Sequence, residues 1–135
     1  MRIIGFNLTR ILVEKQEKFV EKLQVNQSIN IKNISEEKIP ITDNKALKIA
    51  FNLSVVYSEN CAKLEFEGTI LALSEKDELK KILDSWKNKN IPENIRVPLF
   101  NFIMDRCNVK ALYLEDELGL PFHVPMRKLT QQEKK

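Results

Sequence analysis

Little in this sequence invites covalent or metal chemistry. It holds two cysteines, three glycines, one tryptophan and one histidine among 135 residues. Cys61 and Cys107 lie far apart and lack metal-type spacing, so they read as free thiols of a reducing compartment. None of the glycines sits in a phosphate-cradling loop. An excess of one charge is also missing. The 22 basic and 19 acidic residues are interspersed and leave a net charge of only +3. A nucleic-acid module usually concentrates its basic residues, so none is expected. No apolar run is long enough to span a bilayer, and the N-terminus does not read as a secretion signal. The expected location is the cytoplasm, without membrane insertion. There is no internal repeat and no low-complexity segment. The length suits a single domain, residues 1–129, followed by a flexible charged tail at 130–135.

What the chain does have is alternation. Leu47, Ile49, Phe51, Leu53, Val55 and Tyr57 recur at every second position, and Leu64, Phe66, Gly68, Ile70 and Ala72 repeat the pattern. A period of two puts each set on one face of a strand. Between them, Ser58 to Cys61 includes Asn60, which tolerates a left-handed turn; the two strands form a hairpin. An isolated hairpin is marginal in water, so other elements must cover its apolar face.

Arg2 to Lys15 reads as a longer strand with apolar residues of both parities. Either it is covered on two sides or a bulge near Arg10 switches its faces. Its second covered side lies within one chain or against another subunit. Gln16 to Asn26, with Phe19, Val20 and Leu23, is a short surface helix or a connection crossing the sheet. Ser28 to Ile34 forms another strand, broken by Glu36, Glu37 and Lys38. Ser74 and Asp77 have capping-box spacing and open a helix whose stripe is Leu79, Ile82, Leu83 and Trp86. A core role for Trp86 outweighs ligand stacking.

Pro92 begins a second helix, kinked or truly starting at Pro98, where a proline removes a backbone donor. Ile95, Leu99, Phe102 and Ile103 form one face; Val97, Phe100 and Met104 form another. A helix apolar over so much of its circumference is buried on two sides, which calls for more than one subunit. Asn108 is its expected stop. From Lys110 to Leu129, Leu112, Leu114, Leu118, Leu120, Phe122 and Val124 accompany Pro121 and Pro125, and the segment reads as an extended arm.

This order of elements, with Pro92, Asn94, Ile95 and Pro98 opening the second helix and the Leu- and Pro-rich stretch ending at Pro121, resembles the SecB family of export chaperones. The resemblance spans roughly residues 2–124. It implies an α+β fold, a four-stranded antiparallel sheet with two helices on one face, assembling as a dimer of dimers. It implies an ATP-independent holdase with no cofactor and no metal, whose partners are unfolded or nascent polypeptides, including preproteins for transport. The client groove would be lined by Phe19, Val20, Leu23 and Val25, by Ile29 and Ile31, and by Leu112, Leu114, Leu118, Leu120 and Phe122. Subunit contacts would draw on Ile3, Ile11, Val13, Leu79, Ile82, Trp86, Phe100 and Met104. SecB proteins are usually acidic and pass clients to the motor SecA. The slightly basic balance and the tail Gln131 to Lys135 count against that handover here. Some relatives guard the antitoxin of a toxin–antitoxin pair instead.

Two other classes compete. A small enzyme acting on an apolar ligand would rely on His123, partnered by Glu115, Asp116 or Glu117. Cys107 reads as a buried helix thiol rather than a nucleophile. A non-catalytic assembly subunit would use the same apolar surfaces for one dedicated partner.

Overall fold

The alternating segments fold as four strands: β1 (Arg2–Lys15), β2 (Val25–Lys38), β3 (Lys45–Tyr57) and β4 (Ala62–Leu73). Two helices follow, α1 (Lys76–Trp86) and α2 (Glu93–Glu117). The computed structural model describes residues 1–17, 24–39, 45–127 and 129. The reading of Phe19, Val20 and Leu23 as helix or crossover falls outside them.

All strand pairs are antiparallel, in the order β1-β4-β3-β2. The hairpin between β3 and β4 turns through Glu59 and Asn60, both left-handed at φ 55°. Odd residues of β3 from Leu47 to Tyr57 and even residues of β4 are buried, as their period demands. Gly68 lies opposite Phe51, whose ring stacks on Phe6 of β1 at 5.6 Å. The other face of the sheet is polar. Arg10, Lys63 and Asn52 bind Glu65, and Lys32 and Asn52 bind Glu67. These partners hold both carboxyls below the usual glutamate range, chiefly through Lys63 and Lys32 respectively.

Register shifts at Ile3/Gly5 and Leu8/Arg10 explain the double parity of β1. Ile3, Phe6, Leu8, Ile11 and Val13 pair opposite Ala72, Ile70, Gly68, Phe66 and Leu64, so a bulge near Arg10 does keep one apolar face. β2 uses the same device. Its shift at Ile31/Asn33 puts Ile34 on the same face as Ile29 and Ile31. Glu36, Glu37 and Lys38 do not break this strand; they pair with Leu47, Ala46 and Lys45. An edge strand can carry such charges because one side of it faces water.

The helices cover the apolar face. In α1, Leu79 and Ile82 enter the core. Its start differs from the capping-box expectation. Lys76 is the first helical residue, no side chain caps it, and the Ser74 hydroxyl instead donates to Glu78 at 3.0 Å.

α2 differs more. It neither begins at Pro98 nor stops at Asn108, but runs unbroken for 25 residues. Ile95, Leu99, Ile103, Cys107, Ala111 and Glu115, each four residues apart, form its buried stripe. Pro98 leaves the Asn94 carbonyl without a helical donor, at a cost of about 3 kcal/mol. Both residues are exposed, so water can serve that carbonyl. Burial of Ile95, Leu99 and Ile103 contributes about 1.5–3 kcal/mol each and outweighs it. The segment expected to be an extended arm is therefore helical through Glu117. The helix ends at Gly119, φ 66°, where Gly119 N–H donates to Asp116 O and Leu120 N–H to Glu115 O. This is a Schellman closure, which glycine accommodates without Cβ strain. Lys15 of β1 donates to the Leu118 carbonyl at 2.6 Å, placing a cation at the helix's negative end.

Candidate functional site

Two places gather chemistry-bearing or binding side chains. The first lies where α2 ends. Tyr57 OH lies 2.7 Å from Glu115 Oε2 and also meets the Pro121 carbonyl, the two acceptors sharing its one proton. The other side of Glu115 faces His123, whose Nδ1 lies 2.8 Å from Oε2 and 2.9 Å from Oε1. His123 Nε2 meets Asn108 Oδ1 at 2.8 Å, and that oxygen also receives Gln27 Nε2 at 2.9 Å. Burial, and next the neighbouring Glu115, raises the Tyr57 phenol well above its usual range, so it remains a neutral donor.

The enzyme alternative named His123 with Glu115, Asp116 or Glu117, and the structure pairs it with Glu115. The two side chains are 1% and 0% exposed. A substrate atom has no approach to either, so the cluster acts as a latch. It fastens the segment from Leu120 to Val124 onto β3 and α2. A buried carboxylate must be surrounded by donors, and here the Tyr57 hydroxyl, the His123 ring and, at 3.4 Å, the His123 backbone N–H surround it. Cys107 is likewise buried in the core, and burial pushes its thiol up to about 11. Such a thiol is a poor nucleophile.

The second place is a cleft between β2 and α2. Val25, Ile29 and Ile31 rise from β2 on one parity, with Gln27 between the first two, and all three are half-buried on the helix-covered side. Phe100, Met104, Asn108 and Leu112 descend α2 at four-residue spacing, also half-buried. The Gln27–Asn108 hydrogen bond spans the two rows. At the end near α1 the cleft opens to about 410 Å³, walled by Ile29, Ile31, Trp86, Ile91 and Phe100. Trp86 is held there by a 3.4 Å bond from its indole N–H to Asn33, at the β2 bulge. Among the described residues β2 pairs in the sheet only with β3, which leaves its outer edge without a strand partner there.

The cleft gathers some of the expected groove residues and not others. Ile29 and Ile31 line its open end, while Val25 continues the β2 row and Leu112 the α2 row. Leu114 and Leu118 pack on the core, and Leu120 is 5% exposed beneath the latch. Phe122 is exposed beyond it. Of the expected subunit contacts, Leu79 and Ile82 are consumed by the chain's own core, and Ile3 and Val13 pack against it. Trp86 and Phe100 wall the open end of the cleft, Met104 follows Phe100 four residues on along α2, and Ile11 remains 49% exposed. Sequence reading missed the latch because Asn108, Glu115 and His123 meet only through the Gly119 turn. It missed Phe100 and Met104 as cleft residues because the bulge that aligns β2 opposite them leaves no mark but a change of parity at Ile34.

Among the described residues, no cluster of three or more His, Cys, Asp or Glu could hold a metal ion, and no helix is long and apolar enough to cross a membrane. A four-stranded antiparallel sheet of this order with two helices on one face is the SecB-like fold. The chain is similar in structure to the Mycobacterium tuberculosis SecB-like chaperone Rv1957, which was solved in complex with a ChAD peptide from the Rv1956 HigA1 antitoxin. The TM-score is 0.54 at 14% sequence identity, with 96% of this chain and 89% of that chain covered. No family model matches the chain. No curated protein matches it in sequence.

Proposed function

We propose that this protein is a non-catalytic, nucleotide-independent chaperone that holds an extended, apolar polypeptide segment in the cleft between β2 and α2. The observation that carries the reading is the pair of half-buried apolar rows, Val25, Ile29 and Ile31 facing Phe100, Met104 and Leu112, beside a strand edge with no strand partner among the described residues. Such a surface reads apolarity and extended backbone and little else. Each client side chain buried there gains about 1.5–3 kcal/mol, part of which offsets the cost of ordering the client. One cleft therefore binds weakly. Assembly into a homotetramer would link several clefts and raise overall affinity by roughly 10²–10⁴. The exposed outer face of α2, with Val109 69% and Tyr113 65% exposed, supports such assembly.

Between a general holdase for export clients and a guardian of one dedicated partner, the second is favoured. The structural neighbour holds an antitoxin peptide, which supports the antitoxin of a toxin–antitoxin pair as the client. A SecA-type handover has no support in the sheet's outer face, where Glu65 and Glu67 are already paired with cations.

An aggregation assay tests this. The protein, without nucleotide, is mixed with an unfolded antitoxin and with unrelated unfolded clients. Suppression of aggregation that Met104→Gln with Leu112→Gln removes, at unchanged far-ultraviolet circular dichroism, supports the cleft. Suppression for the antitoxin alone supports the dedicated partner. Failure to protect any client overturns the chaperone reading.

A further inference from the structure

The open end of the cleft has an uneven distribution of charge. Its apolar walls are rimmed by Lys32, Lys89 and Arg96, and among the described residues no carboxylate lines it. Elsewhere on the sheet Arg10 and Lys63 are tied up locally by Glu65. Lys32 is partly neutralised in the same way, 3.1 Å from Glu67. Lys89 and Arg96 form no ion pair among the described residues. Lys89 is also held in place. It adopts a left-handed conformation, φ 57°, that closes α1 through Lys89 N–H to Trp86 O and Asn90 N–H to Ser85 O. Its ammonium lies 4.6 Å from the centre of the Trp86 ring. A left-handed lysine is unusual where glycine or asparagine would fit without strain.

We propose that this end of the cleft selects client segments in which an acidic residue flanks a bulky apolar one. The apolar side chain enters between Ile29, Ile31, Trp86 and Phe100, and the carboxylate meets Lys89 and Arg96 at the rim. The inference rests on the peptide-binding reading above and adds the class of segment bound. Exposed ion pairs are individually weak, so the effect is discrimination among clients rather than bulk affinity.

Trp86 is the only tryptophan, so its fluorescence reports occupancy of this end directly. Three peptides of equal length and identical Phe and Leu content would be titrated into the intact protein, with Asp, Ser or Lys at the flanking positions. The acidic peptide should bind about three- to tenfold more tightly than the neutral one at low salt, and the basic peptide least. Molar salt should bring the three together. The Lys89→Gln plus Arg96→Gln variant should lose the acidic preference while keeping the affinity for the neutral peptide; calorimetry checks this independently of Trp86. Equal binding of all three peptides, or a preference that survives in the variant, overturns the charge selection and leaves the cleft reading standing. Binding by none of them, by fluorescence and calorimetry alike, overturns both.

Discussion

The Tyr57 hydroxyl lies 2.7 Å from Glu115 Oε2, joining the last residue of β3 to the last turn of α2. The same hydroxyl serves the Pro121 carbonyl, so one phenol secures both the helix and the segment that leaves it. Tyr57→Phe removes the hydroxyl with little change in shape. The fully buried Glu115 and the Pro121 carbonyl then lose the hydroxyl they share. The expected cost is about 1–3 kcal/mol. Urea unfolding checks it: the midpoint falls while the slope holds. Hydrogen exchange should rise first at residues 120–124. If those amides exchange as in the wild type, the cluster does not act as a latch.

Gly68 and Gly5 offer a matched pair. A Cβ at Gly68 would collide with the Asn7 carbonyl and come within 3.1 Å of Leu8 Cα and of the Phe51 ring. The first two are backbone, flanking the bulge in β1, and cannot yield cheaply. At Gly5 the nearest atoms are Leu71 side-chain carbons at 3.6 Å or more, an ordinary contact. Gly68→Ala should therefore destabilise by roughly 1–3 kcal/mol or more, from overpacking. Gly5→Ala should stay within about 0.5 kcal/mol of the wild type. Thermal melts of the two variants make the comparison. Equal losses would mean that the close approach of β1 to β4 relaxes in solution.

How much of this could be read beforehand follows from the range of each signal. The hairpin was legible because every large side chain from Leu47 to Tyr57 obeys one period and meets a covered face. The bulge near Arg10 was legible as a parity change. The second half of α2 was not. Leu112, Leu114, Leu118 and Leu120 satisfy a period of two, yet Ala111, Leu114, Glu115 and Leu118 satisfy a helical period equally well. Pro121 and Pro125 favour the extended reading, Glu115 looks like a polar interruption and Asn108 like a stop. Both are polar for a reason found only in three dimensions: Asn108 bonds Gln27 and His123, and Glu115 bonds Tyr57 and His123. The true stop, Gly119, was in view, but a single glycine carries little weight until the helix before it is known. The cleft was half legible for a similar reason. Its β2 row follows from alternation, while its α2 row depends on where the helix lies against the sheet.

The buried thiol and phenol fix the alkaline limb of stability. Cys107 moves from an ordinary 9.0 to about 11, and Tyr57 is raised above its ordinary 10.0. The folded chain thus keeps protons that the unfolded chain has lost, and stability falls as pH rises. The thiol's share of that loss begins near pH 9 and is complete above about 11. Tyr57 adds its own loss from about pH 10 upward. Urea midpoints measured from pH 8 to 11 should fall, and the difference between wild type and Cys107→Ala should shrink over the same interval. A difference that stays constant from pH 9 to 11 would mean that the Cys107 thiol ionises as readily in the folded chain as in the unfolded one. The same burial predicts that a colorimetric thiol reagent at pH 8 labels Cys107 only after unfolding.

Lys89 separates stability from binding. Its left-handed backbone, φ 57°, costs about 1–2 kcal/mol relative to a residue without Cβ, and the closing bonds to Ser85 and Trp86 involve only the backbone. Lys89→Gly keeps those bonds and relieves the strain. The expected gain is about 1 kcal/mol, or roughly 2–5 °C in Tm for a chain of this size. The same change deletes a rim cation and its contact with the Trp86 ring, so the acidic peptide should lose part of its advantage while the neutral peptide binds as before. A variant that is both more stable and less selective would mean that the lysine is kept for what it meets in the cleft. A lower Tm would mean that its side chain contributes more to the fold than its backbone costs, and the rim charge would then be incidental to that packing.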